Sequence, residues 1–385
     1  MSRPLSGSTP DPQRTSGHAP APGPGPRGAP VPSGPAASRE AVPRAGSRVR
    51  RPARRSRAVL RGLLAALLLI PLAACGESPE EVQSGSGGGG GGEAKGFPRT
   101  ISNCGVRTTF DEPPRRVVAM NQHATEAMLA LGLEDRLVGT AYLDDAVLPR
   151  YEKAYRSVKV LAKRYPSREV LLSANPDFVY GGYSSAFDKG EGRDRAALKE
   201  SGIRSRLNIE GCRDDRTGPA ELRRELLELG RTFGVEKRAE KLVRDGERQL
   251  ARTAARLKGV KRPSVFVYDG GDASAYTSGG HGIGNEIIKR AGGRNVFASL
   301  RRPFADVSWE QVVKKRPEAI VIYDYGGTPL AAKKRKLLED PALRDIPAVK
   351  NKRFAVLPLS SAVLGVRVPD AVDELAGQLH PDTAE

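Results

Sequence analysis

Residues 166–181 read PSREVLLSANPDFVYG, and residues 307–326 read VSWEQVVKKRPEAIVIYDYG. Set 141 positions apart, Ser167 falls on Ser308, Glu169 on Glu310, Pro176 on Pro317, Asp177 on Glu318 and Val179 on Ile320. Each copy spells the same unit. A serine caps the free N–H groups of a helix, and a glutamate in the first turn faces the positive end of its dipole. A proline then stops the helix, and a β-branched strand follows. Two copies this far apart predict two similar lobes, not a short-period solenoid.

The flanking sequence extends the pattern. Residues 116–120 and 264–268 are short apolar strands, each leading through a loop into a helix, at 124–131 and 283–291. Gly132 and Gly292 end those helices, as a left-handed C-terminal cap prefers. Alternating strands and helices imply an α/β fold with mostly parallel sheets and helices on both faces. Between the lobes, Ala239, Leu242, Val243, Leu250, Ala254 and Leu257 repeat with a helical period, and Pro263 ends the run. A helix over 236–258 is about 34 Å long, a single stiff connector. The expected body is therefore an N-terminal lobe at 100–234, a connecting helix at 235–260 and a C-terminal lobe at 261–385.

The front end differs in kind. Residues 1–57 are rich in Pro, Gly, Ser, Ala and Arg and bury nothing, so a disordered extension is expected there. Residues 58–74 carry an apolar run from Gly62 to Ala74 behind Arg54, Arg55, Arg57 and Arg61. A span of a bilayer needs about 20 apolar residues, so this shorter run fits a signal peptide. Leu72-Ala73-Ala74-Cys75-Gly76 resembles the lipobox of bacterial lipoproteins, which makes Cys75 the lipidated residue. Residues 75–99, with six successive glycines, then read as a flexible tether with a reach of roughly 25 Å. The expectation is export and lipid anchoring on the outer face of the bacterial cytoplasmic membrane.

The chain has a net charge of +18, of which residues 1–74 carry +10, from 12 Arg against 2 acids; the rest carries +8, with mixed signs. No zinc-finger spacing or basic-aromatic RNA motif is present, so nucleic acid is not an expected partner. Cys104 and Cys212 form a reasonable disulfide in an exported body.

Taken together, PPRRVVAMNQHATEAMLALGLEDRLVGTAY, PSREVLLSANPDFVYGG, the helical spine, GGHGIGNEIIKRAGGRNVF and VSWEQVVKKRPEAIVIYD resemble one family over about residues 100–380. It is the lipid-anchored substrate-binding proteins of ABC importers for ferric siderophores, haem and corrinoids. The resemblance implies two Rossmann-like lobes joined by a rigid helix, a monomer, a ligand in the cleft, and delivery to a permease driven by an ATPase. It also implies that one surface glutamate per lobe docks on the permease. Glu169 and Glu310 match those positions.

Ligands of open α/β sheets gather at the carboxyl ends of the strands. Asn121 and His123 follow the first strand of the first lobe, and His281 occupies the corresponding region of the second. The histidines are expected to face each other across the cleft. Three readings stay open for them: local loop hydrogen bonds, contacts to a chelate, or direct ligation of a metal with help from Asp144, Asp145, Asp269 or Asp272. Tyr142, Tyr183, Tyr276 and Tyr325 follow predicted strands and offer flat faces with polar tips, suited to a bulky chelate. Arg367 supplies a fork for an anionic one, and Arg164 is a weaker candidate. No GxSxG, HExxH or Walker A motif occurs, so an enzyme is not expected. The expected ligand is an Fe(III)-siderophore, with no resident cofactor. Haem, a corrinoid or bare metal is one alternative, and a surface enzyme or signalling domain the other.

Overall fold

A computed structural model of the chain describes residues 96–212, 215–326 and 328–383. The expected extension, signal peptide, Cys75 and nearly all of the tether lie outside the described residues.

The described chain opens with a hairpin, β1 (Arg99–Asn103) and β2 (Val106–Phe110). The first lobe is built on β3 (Val117–Met120), β4 (Leu137–Ala141), β5 (Val160–Ala162), β6 (Phe178–Gly181) and β7 (Arg204–Leu207). They form a parallel sheet in the order β5-β4-β3-β6-β7. The second lobe supplies β8 (Ser264–Tyr268), β9 (Ala275–Ser278), β10 (Arg294–Asn295), β11 (Phe304–Val307), β12 (Ala319–Asp324) and β13 (Phe354–Pro358). Four of these make a parallel sheet, β10-β8-β12-β13, while β9 and β11 pair antiparallel beside it.

The two sheets are wired alike. In each, the first parallel strand lies next to the strand of the repeat, Val117 opposite Phe178 and Val265 opposite Ala319. The topology therefore reverses between β3 and β6, and between β8 and β12, and such switch points open a crevice at the carboxyl ends. The central strands are buried throughout, as sheets covered on both faces require.

The repeat also works as chemistry. Ser167 accepts from the Val170 N–H and Ser308 from the Gln311 N–H. The turn that follows each helix holds a residue in the left-handed region, Asn175 at φ 48° and Arg316 at φ 46°, just ahead of the proline. The acid one residue past the proline ties down the neighbouring strand. Asp177 accepts from the Arg116 N–H at 3.0 Å, and Glu318 from the Ser264 N–H at 2.7 Å. These contacts hold the Glu318 carboxyl down to about 2, chiefly through the Ser264 N–H.

The lobes are joined by the helix Glu236–Arg256, two residues shorter at its C-terminus than the expected span. It is not a bare rod. The preceding helix Pro219–Phe233 and the last helix Val368–Leu379 pack along it. Gln249 donates to Asp370 at 2.9 Å, and Thr253 to Asp373 at 2.9 Å. Among the described residues, no helix is long and apolar enough to cross a membrane.

Candidate functional site

The carboxyl ends of β3 and β6 place the first half of the site. Asn121 leaves β3 at φ 82° and ψ 154°, a conformation otherwise left to glycine. Its side chain holds it there. Oδ1 accepts from the Gly182 and Tyr183 N–H groups at 3.2 and 3.3 Å, and Nδ2 donates to the Tyr165 hydroxyl at 3.0 Å. Asn121 thus fastens the loop that carries Tyr183.

His123 sits in the first turn of the helix Gln122–Ala130, not ahead of it as the sequence suggested. It is 3 % exposed. A Cβ added to Gly182 would lie 2.4 Å from its ring, and one added to Gly365 would lie 2.9 Å from its Cβ. Both glycines let backbone close over the imidazole. The ring meets Tyr183 edge-on at 4.9 Å, and Nδ1 has no hydrogen-bond partner. Burial pushes the imidazole below its ordinary pKa, toward the neutral form.

His281 lies beyond β9 rather than directly after β8, so the two histidine loops do not match as closely as expected. Its carbonyl accepts from the Thr217 N–H at 2.8 Å, and its N–H donates to the Arg302 carbonyl at 3.3 Å. Tyr276 likewise differs. It stands inside β9, exposed, and stacks on Phe304 with ring centres 5.6 Å apart.

The other tyrosines follow their strands as anticipated: Tyr142 after β4, Tyr183 after β6 and Tyr325 after β12. Tyr165, which the sequence did not single out, stands with them. Tyr142 meets Tyr165 at 4.7 Å, and Arg164 lies over the Tyr142 ring at 5.9 Å. Tyr165 bonds Ser185 at 2.9 Å. Tyr183 lies within the electrostatic reach of Tyr165, Tyr325 and Asp144, and Tyr325 within that of Tyr276, Asp269 and Asp144. Tyrosines and acids of both lobes therefore come near one another at the carboxyl ends of the sheets. Burial raises the hydroxyl pKa of Tyr183 and Tyr325, which keeps both as neutral donors.

Arg367 departs from expectation. It is 5 % exposed and does not offer a free fork to the cleft. Its Nε and Nη2 donate to Glu126 at 2.7 and 2.6 Å, Nη1 to Ser360 at 2.8 Å and Nη2 to the Ala146 carbonyl at 2.8 Å. A guanidinium taken out of water requires such a partner, and Glu126 supplies it. Two further polar ties join the halves. The Glu210 carboxylate accepts from the Ile283 and Leu364 N–H groups, both at 2.8 Å, and Asn208 donates to the Leu364 carbonyl at 3.0 Å.

Cys104 and Cys212 are joined by a disulfide. Glu169 and Glu310 are both exposed in the first turns of their capped helices. Trp309 is buried against Phe266 and Tyr268 and donates to the Asp272 carbonyl at 2.8 Å. Among the described residues, no group of three or more His, Cys, Asp or Glu side chains is placed to hold a metal ion.

A family model described as "Periplasmic binding protein" matches residues 117–360. The chain belongs to that family. It is the substrate-binding component of an ABC importer, working outside the cytoplasm with a permease, and not an enzyme. The ABC transporter substrate-binding lipoprotein YvrC of Bacillus subtilis is 28 % identical over 329 residues, 84 % of this chain and 98 % of that one. The vitamin B12-binding protein of Vibrio parahaemolyticus is 26 % identical over 215 residues, 55 % of this chain and 72 % of that one. A periplasmic binding protein from Veillonella parvula superposes with a TM-score of 0.68 at 32 % identity, covering 74 % of this chain and 97 % of its own. A structure from Saccharomonospora viridis, described as an ABC-type Fe3+-hydroxamate transport system, gives 0.63 at 26 % identity over 74 % and 99 %.

Proposed function

We propose that the inter-lobe cleft captures a ferric-siderophore-type metal chelate and that the loaded protein, tethered by lipid at Cys75, delivers it to its permease and ATPase. The tyrosines Tyr142, Tyr165, Tyr183, Tyr325 and Tyr276 carry this reading. Such a group suits a bulky organic ligand with a partly apolar rim. A bare ion would need converging ligands instead. The Fe3+-hydroxamate relative supports the choice, and the vitamin B12-binding relatives keep a corrinoid as the second reading.

Titration calorimetry of the full chain against ferric siderophores, their iron-free forms, haem, cobalamin and free metal ions tests it. Saturable submicromolar binding of a ferric chelate, without response to free metal, is expected. A response to cobalamin alone selects the second reading, and a response to metal alone overturns both. Glu169 and Glu310 are proposed to dock on the permease. The paired change Glu169→Ala and Glu310→Ala then leaves affinity intact and abolishes uptake. Surviving uptake removes that assignment.

A further inference from the structure

Asp269 occupies in the second lobe the place that Asn121 holds in the first: each is the residue just past the first parallel strand. Asn121 spends its side chain on the neighbouring loop. Asp269 does not. It is 3 % exposed, the Tyr325 hydroxyl and the Lys333 ammonium are the groups that favour its charged form, and its Oδ1 has no hydrogen-bond partner. A buried carboxylate oxygen without a donor is costly and asks for one. Across the cleft, Asp144 leaves Oδ2 in the same condition. Tyr325 lies within reach of both carboxylates, so the two acids of opposite lobes flank the tyrosines.

The charges around them are lopsided. Asp145, Glu210 and Asp324 add further negative charge near the cleft. Three buried cations stand against these acids: Arg367, paired with Glu126 and Asp145; Lys333, whose ammonium donates to the Tyr323 carbonyl at 2.6 Å, lies 4.8 Å from the Tyr325 ring and attracts Asp269; and Arg193, over the Tyr165 ring at 5.2 Å and donating to the Ala186 carbonyl, so the acids still outnumber them. Arg301 and Arg302 are exposed at the rim beside Tyr276 and Phe304, where water screens them. A buried excess of one sign favours a ligand group of the other sign.

We propose that the cleft selects a chelate carrying an ammonium group, held by Asp269 and Asp144, and rejects polyanionic chelates. This rests on the chelate-binding reading above and names the charge class of its ligand.

Titration calorimetry at neutral pH and about 0.15 M salt, using three probes, tests it. They are a linear ferric trihydroxamate with a free terminal ammonium, the same complex with that amine acetylated, and a trianionic ferric tris-catecholate. The ammonium complex is expected to bind about tenfold or more tighter than its acetylated form, and the tris-catecholate weakest. In Asp144→Asn, and separately in Asp269→Asn, the preference for the free amine falls toward one. The Asp144 change keeps the test open if the more buried Asp269 change impairs folding. Equal binding of the amine and acetylated forms overturns the proposal while leaving the chelate-binding reading intact, as does tightest binding of the tris-catecholate or an undiminished preference in Asp144→Asn. Binding of none of the three overturns both.

Discussion

The guanidinium of Arg367 clasps the carboxylate of Glu126 in a bidentate pair, with both residues buried and 241 positions apart in the chain. Asp145 approaches the same guanidinium at 3.4 Å, and Ser360 donates to Asp145 while accepting from Arg367. The pair therefore binds the last segment of the second lobe to the first helix of the first. Removing one partner strands a buried charge, which costs about 3–5 kcal/mol. Glu126→Ala is expected to lower the urea midpoint accordingly. Replacing both residues by methionine should cost less than Glu126→Ala alone, because the charge then left without its cation is Asp145, which is only half-buried and keeps the Ser360 hydroxyl. A larger loss in the double variant would contradict this account.

Glu210 acts in the same way with one side chain and two backbone groups. It reaches the Ile283 N–H at the start of a second-lobe helix and the Leu364 N–H of the crossing segment. Burial raises its carboxyl pKa, although both N–H bonds oppose that shift. Glu210→Ala leaves two inter-lobe donors unpaired, a penalty of about 2–4 kcal/mol. Amide exchange should quicken at Ile283 and Leu364 first. Unchanged protection at those two amides would show that other contacts hold the lobes.

What the sequence disclosed and what it hid follow the range of the forces involved. Helix caps and stops act within a few residues, so Ser167, Ser308 and the two prolines were legible, and with them the two-lobed α/β fold. Hydrophobic period disclosed the spine. The hairpin β1–β2 was missed because its strands are short and directly follow a glycine-rich tether. The antiparallel β9 and β11 were hidden by the loops around them, and this displaced the expected settings of Tyr276 and His281. Within the site, the tyrosines following β4, β6 and β12 could be found by asking what stands at strand ends. The same question would have singled out Asp269, which follows β8. Partnerships such as Glu126 with Arg367 have no local signature. They arise only when packing brings distant residues together, which is why Arg367 read as a free fork.

Asn121 allows backbone strain and tethering to be separated. Its φ of 82° favours glycine, while its amide holds the Gly182 and Tyr183 N–H groups. Asn121→Ala keeps the strain and loses the tether, so it should cost about 1–3 kcal/mol. Asn121→Gly relieves the strain and should be the more stable of the two. Both variants should lose chelate affinity, since neither fixes the Tyr183 loop. Full affinity in Asn121→Gly would mean that Tyr183 needs no such support.

Asp144 should make binding depend on pH. Burial first, then the charge of Asp145, raises its carboxyl to about 6, against the pull of Arg367. The groups facing it are Asp145 and Arg367 beside it, Tyr165 and Tyr183 from the first lobe and Tyr325 from the second. Because the folded value lies above the unfolded one, the empty protein gains stability from this proton, in full below about pH 4. That contribution is lost as pH rises through about 6. An ammonium ligand works in the opposite direction. It binds the ionised carboxylate, so its affinity should rise as pH climbs through about 6 and level off above. Asp144→Asn should flatten that part of the profile. Calorimetric titrations between about pH 5 and pH 8 read both curves. A slope that persists in the variant belongs to the other groups of the site that titrate, Asp269 and Asp145, whose carboxyls burial also raises, and His123, whose pKa burial lowers. If the profile of Asp144→Asn kept the full shape of the parent protein's, the titration would belong to those groups and not to Asp144.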